Sequence, residues 1–226
     1  NAVVIAMASR ALPPKQQKQA ILFGSFGAII LRVILTFFAV MLLELPYLKV
    51  IGAVLLLWIG IGLLKNEDEE EHLQDNASLG AAIKTILIAD LVMSLDNVIA
   101  VAAAAGGSTT LLIIGLAISI PLVIFGATML LKLMERWPII ITIGAALLGF
   151  VAGEMAWEDN AVKAFTSQYP PAAKYVIAAV GAAFVILMGR YFAGKSLKRA
   201  TAEHLEHMGA EPDAAAKAPP SNQQAR

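Results

Sequence analysis

A run of about twenty apolar residues can cross a bilayer, and a chain built of such runs has few folds open to it. This one holds six: Ala20–Leu43, Tyr47–Leu64, Ala81–Ala105, Leu111–Leu133, Ile139–Trp157 and Lys174–Ala193. A shorter apolar stretch, Asn1–Ala11, ends before Pro13-Pro14. It is too short to span and shows no signal-peptide pattern. It is therefore expected to be the tail of a first helix cut short at Asn1. The chain thus reads as an all-α polytopic membrane protein with seven transmembrane helices, the first truncated. Composition agrees: 58% of the 226 residues are hydrophobic and 15% charged, against about a quarter charged in soluble domains. The formal net charge is zero, so no basic field argues for nucleic acid. With no cysteine, disulfides, thiolate metal sites and thiol catalysis are excluded. No nucleophile–base pair or cofactor loop stands out, so neither an enzyme nor a bound cofactor is expected.

Lysine and arginine set the orientation. With seven spans, Arg10, Lys15, Lys18, Lys65, Lys132, Arg136, Lys195, Lys198 and Arg199 fall on one side. Only Lys49, Lys163 and Lys174 occupy the opposite loops. The richer side, with the C-terminus, is predicted to be cytoplasmic. Tyr47, Trp137, Trp157 and Tyr191 lie near span ends, where an interfacial aromatic belt would place them.

Two matches in step suggest a duplication. Asn1-Ala2-Val3-Val4-Ile5-Ala6 resembles Asn97-Val98-Ile99-Ala100-Val101-Ala102. Pro46 stands six residues before Gly52-Ala53-Val54-Leu55-Leu56, as Pro138 does before Gly144-Ala145-Ala146-Leu147-Leu148. Each copy holds three spans, so the copies would insert in opposite senses and place a substrate near the midplane between them. The expected organisation is a first three-helix repeat over 1–64 and an acidic cytoplasmic loop over 65–80. A second repeat follows over 81–157, an external loop over 158–173, a seventh helix over 174–194, and a largely disordered cytoplasmic tail over 195–226.

Inside the fourth run lies Asp90-Leu91-Val92-Met93-Ser94-Leu95-Asp96-Asn97. A carboxylate at a bilayer centre costs about 2.5–3.5 kcal/mol on insertion scales. Two of them call for a use, and a cation is the hypothesis. At 100° per residue Asp90, Ser94 and Asn97 share a helical face, with Asp96 about 120° from Asp90. Either the helix is regular and Asp96 meets another neighbour, or it unwinds near Ser94–Asn97, as discontinuous helices do at transporter ion sites. Oxygen ligands without sulfur suit magnesium, calcium or manganese. A proton relay is a further use, and a plain helix-tying pair with Arg32 is the bland alternative.

These residues resemble a known family. DLVMSLDNVIAVA in the fourth run, NAVVIAMASRALP at the start, an arginine in the second run and GLAISIPLVIFG in the fifth are similar to the TerC family of bacterial integral membrane proteins. The resemblance runs in order from Asn1 to about Ala193. It implies membership of the LysE-type transporter superfamily with paired three-helix repeats, a link to tellurium resistance, and manganese export. It also implies an Asp-Asn pair in the first and fourth helices. Asp96-Asn97 matches the second pair and Asn1 the asparagine of the first, whose aspartate would precede Asn1.

The predicted metal set is therefore Asn1, Asp96, Asn97 and Asp90, with Ser94, Arg32 and Glu154 along the pathway or at its gates. Glu154 reads equally as an interfacial residue beside Trp157. Pro121 reads as a packing kink, Glu67–Glu71 as a solvated run, and Glu203, His204, Glu206 and His207 as a solvated helix rather than a metal clip. The expected function is a secondary transporter exporting a divalent cation, manganese first among them, across a bacterial inner membrane. The expected partners are that cation and the lipid bilayer, with a homo-oligomer left open. The alternatives are a membrane scaffold whose tail carries the function, and a small-solute exporter. The midplane carboxylates argue against an anionic solute.

Overall fold

The structure is a computed structural model that describes residues 1–43, 45–69, 78–105 and 109–207. Side chains within helices are left undescribed at 37, 39–43, 66–69, 96–105, 109, 111–113, 116–117 and 196–207. The described residues are all helical or irregular, with no strand. The helices are α1 (Ala2–Ser9), α2 (Pro14–Leu43), α3 (Leu48–Glu69), α4 (Leu79–Ala105), α5 (Thr109–Arg136), α6 (Ile139–Trp157), α7 (Lys163–Thr166) and α8 (Ala173–His207). Among the described residues five helices are long and apolar enough to cross a membrane: α2, α3, α5, α6 and α8.

Side-chain contacts give the helix directions. Gly24, Gly27, Arg32 and Leu35 of α2 meet Ile86, Leu87, Asp90 and Leu95 of α4 in that order, so these two helices run parallel. Gly52 of α3 faces Met155 of α6 while Gly60 faces Leu148, so α3 and α6 are antiparallel. Gly149 and Gly153 of α6 face Gly181 and Ala178 of α8, again antiparallel. Gly189 of α8 meets Leu64 of α3. The short α1 packs against α2, α4, α5 and α6. The core between these helices is rich in small residues, including Ala53, Ala89, Ala127, Ala145 and Ala152. Small residues let backbones approach where lipid offers no hydrophobic drive for association.

The outward faces are apolar. Phe23, Phe26, Ile30, Ile34 and Phe38 form an exposed stripe on α2. Ile118, Leu122, Phe125 and Met129 do the same on α5, and Val176, Val180, Phe184, Leu187 and Tyr191 on α8. Stripes of this size in water would drive aggregation, whereas in lipid they are the expected surface.

Helix ends differ from the sequence expectation in one consistent way. The stretch Arg10–Gln19 reads as a loop, yet α2 begins at Pro14. Proline suits the first helical position, and the lysines and glutamines that follow are good helix formers. In the same way α3 continues past Leu64 to Glu69, and α8 past Lys195 to His207. Hydropathy marks the part of a helix in lipid, whereas propensity carries it on into water. The 158–173 loop contains the single-turn α7. Residues 70–77 of the acidic stretch and 208–226 of the tail lie outside the described residues, as do the side chains of Glu203, His204, Glu206 and His207.

Candidate functional site

α4 is an uninterrupted helix from Leu79 to Ala105, so its backbone takes the regular of the two forms left open by sequence. Asp90 is its twelfth residue, about 16 Å along it at 1.5 Å per residue, and is 5% exposed. Three groups converge on its carboxylate. Arg32, near the middle of α2, donates from Nη2 to Oδ1 at 2.7 Å. Ser94, one turn on along α4, donates from Oγ to Oδ2 at 3.1 Å. The side-chain amide of Asn1, just ahead of α1, donates to Oδ1. Arg32 also donates from Nε to Ser94 Oγ at 3.2 Å, which closes a ring of contacts between α2 and α4.

Beside this ring lies a small cavity with room for about one water. Asn1, Ser25, Arg32, Asp90 and Ser119 supply its polar wall; Ile5, Ala28, Ile29, Ile120 and Val123 supply the apolar remainder. Ser25 is fully buried, and its hydroxyl has no hydrogen-bond partner among the described residues. A buried unpaired hydroxyl on a cavity wall is free to bond whatever enters the cavity. Serine in an apolar run beside Gly24 and Gly27 reads equally well as packing filler, so sequence alone does not single it out.

The structure thus brings together Asn1, Arg32, Asp90 and Ser94. The side chains of Asp96 and Asn97 lie outside the described residues. Glu154 is elsewhere: near the end of α6 its carboxylate lies 3.4 Å from Lys174 Nζ. Among the described residues no three His, Asp or Glu side chains gather into a metal cluster.

A second polar centre lies at the end of the bundle where α6 stops. Asp159, 1% exposed, accepts backbone N–H bonds from Tyr47 at 3.0 Å, Lys49 at 2.9 Å, Val50 at 3.2 Å and Ala161 at 2.7 Å. Lys49 and Val50 open α3, so this carboxylate supplies from the loop after α6 the bonds that a capping side chain would give. Burial pushes the pKa of Asp159 up, but the four donors outweigh it and hold the carboxyl below its ordinary range. Around it Glu158 pairs with Lys174 at 3.0 Å and Lys49 at 3.6 Å.

Comparisons with known proteins agree that this is an integral membrane protein. The model of the integral membrane protein TerC family matches residues 1–198. Three Bacillus subtilis (strain 168) proteins, each named an uncharacterized membrane protein, are similar. YjbE is 43% identical over 192 residues, covering 85% of this chain and 88% of that protein. YceF is 28% identical over 205 residues, with 86% and 77% covered. YkoY is 26% identical over 177 residues, with 69% and 54% covered. No solved structure matches the chain. With its family model matched over most of its length and a relative 43% identical over 85% of it, this chain belongs to the TerC family of integral membrane proteins.

Proposed function

We propose that the protein is a secondary transporter that moves a divalent cation, manganese first among the hard cations, outward across a bacterial inner membrane. The observation that carries this reading is Asp90: a carboxylate buried midway along a helix, beside a largely apolar cavity whose other polar lining residues are Asn1, Ser25, Arg32 and Ser119. Intramembrane carboxylates mark ion pathways by default. The midplane carboxylate weighs against an anionic solute. Asp96 and Asn97, one to two turns beyond Asp90 on α4, would complete the path with Asn1.

The inverted repeat is part of the same proposal, and the helix neighbours support it. Exchange α1 with α4, α2 with α5 and α3 with α6. The pairing of α1 with α5 becomes that of α4 with α2, α1 with α2 becomes α4 with α5, and α1 with α6 becomes α4 with α3. The pairs α1–α4, α2–α5 and α3–α6 map onto themselves. Among the closer pairings of these six helices, α5 with α6 is the exception. Asp90 and Arg32 then sit on the two sides of the repeat interface, where alternating access requires movement. The cytoplasmic placement of the C-terminus belongs to this proposal as well and rests on the lysine and arginine bias.

The test is manganese flux in proteoliposomes, run against magnesium, calcium and a proton gradient. Asp90→Asn and Asp96→Asn are each expected to lower flux by about ten-fold or more, because a neutral amide cannot hold a divalent ion in a dry site. Parent-level flux in correctly folded Asp90→Asn would remove Asp90 from the site. Deleting 200–226 should leave flux intact; a lost cellular phenotype with flux preserved would favour the scaffold reading instead.

A further inference from the structure

Both oxygens of Asp90 are engaged, Oδ1 by Arg32 and Asn1 and Oδ2 by Ser94. A cation ligated by this carboxylate needs an oxygen lone pair facing it at roughly 2.0–2.6 Å. It would then lie within a few ångströms of the Arg32 guanidinium, in surroundings of Ile5, Ala28, Ile29 and Val123 that screen charge poorly. A guanidinium cannot relieve that conflict by shedding its proton. Holding both positive groups on one buried carboxylate is disfavoured, and displacing the arginine relieves it.

We propose that Arg32 is a tethered counter-cation: it holds Asp90 until a metal ion takes its place, and its release is what frees α2 from α4. This deepens the transport reading and rests on it. The ring Arg32–Asp90–Ser94 is a polar bond between two helices that also meet through apolar contacts such as Gly24 on Ile86 and Leu35 near Leu95. With the guanidinium in place, Asp90 is neutralised and the interface between the repeats is locked in one arrangement. With a divalent ion in place, the carboxylate is neutralised from the cavity side and the lock is open. Binding and movement are thereby coupled through one side chain. Arg32 is a positioning residue in this scheme, since it need not touch the ion.

A plain helix-tying ion pair makes different predictions, and metal affinity separates the two. In the detergent-solubilised full chain, Arg32→Gln should bind Mn²⁺ about ten-fold more tightly or better, because the internal competitor is gone. In proteoliposomes it should keep Mn²⁺/Mn²⁺ exchange but lose most net flux, because the unloaded carrier now carries a bare buried carboxylate. Arg32→Lys places there a cation that, unlike a guanidinium, can shed its proton when buried, so its affinity should fall between those of the parent and Arg32→Gln. Ser94→Ala, a mild change that loosens the ring and leaves the charges in place, should also tighten Mn²⁺ binding. A Ser94 that ligates the ion would instead weaken it. If Arg32→Gln does not fold, Ser94→Ala still decides. Parent protein that binds Mn²⁺ while neither variant binds it more tightly overturns the counter-cation. Parent protein that binds no Mn²⁺ overturns the transport reading and this inference together.

Discussion

Gly181→Leu should leave no folded protein, and Gly181→Ala should lower stability by about 2 kcal/mol. A methyl group placed on Gly181 would run into the backbone carbonyl of Gly149, and one on Gly149 would meet that of Gly181 in return. On Gly153 the added carbon would lie 2.6 Å from Ala178 Cα and from the Ile177 carbonyl oxygen. These obstacles are main chain, with no side chain to swing aside, so α6 and α8 must part. Helix propensity opposes the loss, since alanine is favoured over glycine by about 1 kcal/mol in a helix interior. Overpacking against a rigid wall costs about 1–3 kcal/mol or more and wins here. Gly62→Ala and Gly194→Ala are the controls, because a methyl group at either meets nothing within 4 Å. They should be neutral or slightly stabilising. Thermal unfolding in detergent checks this: about 4–8 °C lost for Gly181→Ala, at about 2–4 °C per kcal/mol in a chain of this size. A Gly181→Ala protein that melts with the controls would mean that the helices do not touch there.

The reason these glycines matter could not be read in advance. Glycine and alanine in an apolar run signal close packing in general, yet the partner helix is set by the three-dimensional arrangement. The apolar runs themselves were legible because bilayer thickness imposes a length on them. Their helical ends were not, because Pro14 and the lysines and glutamines after it continue a helix that hydropathy stops counting. Asp90, Arg32 and Ser94 could be picked out as polar groups whose burial needs a reason, and the 100° rule placed Asp90 and Ser94 on one face. The partner of Asn1 was harder. Sequence matching sets Asn1 against Asn97, whereas its side chain bonds to Asp90. A repeat gives equivalent positions, and equivalent positions need not be neighbours.

Asp159 was missed altogether, for a physical reason. As one more acid in a loop after Trp157 it carries no local signature beyond its bond to Ala161, two residues on. Its other partners lie more than a hundred residues away, at Tyr47, Lys49 and Val50. No periodicity or spacing encodes a cap donated across the fold.

That cap supports the other large prediction. Asp159→Ala should cost about 3 kcal/mol, or about 6–12 °C in melting temperature. Each N–H bond to a charged acceptor contributes about 1.5–3 kcal/mol, and water at the bundle end can recover part of the four. Tyr47, held at φ 65° beside this carboxylate, loses one restraint on a backbone conformation that costs a non-glycine residue about 1–2 kcal/mol. The neighbouring pairs of Lys174 and Lys49 with Glu158 are partly exposed, so Lys174→Ala should cost under about 1 kcal/mol. Asp159→Asn, with one acceptor oxygen left, should fall between. The pH dependence follows from the depressed pKa of Asp159. A carboxyl whose folded pKa lies below its unfolded value, about 3.9, stabilises fully above that value. The stabilisation is lost as pH falls through the folded pKa. The melting-temperature gap between parent and Asp159→Ala should therefore stay flat from about pH 5 to 8 and narrow below about pH 4. A gap that persists undiminished in strong acid would show that the side chain's packing, rather than its charge, holds the start of α3 to the end of α6.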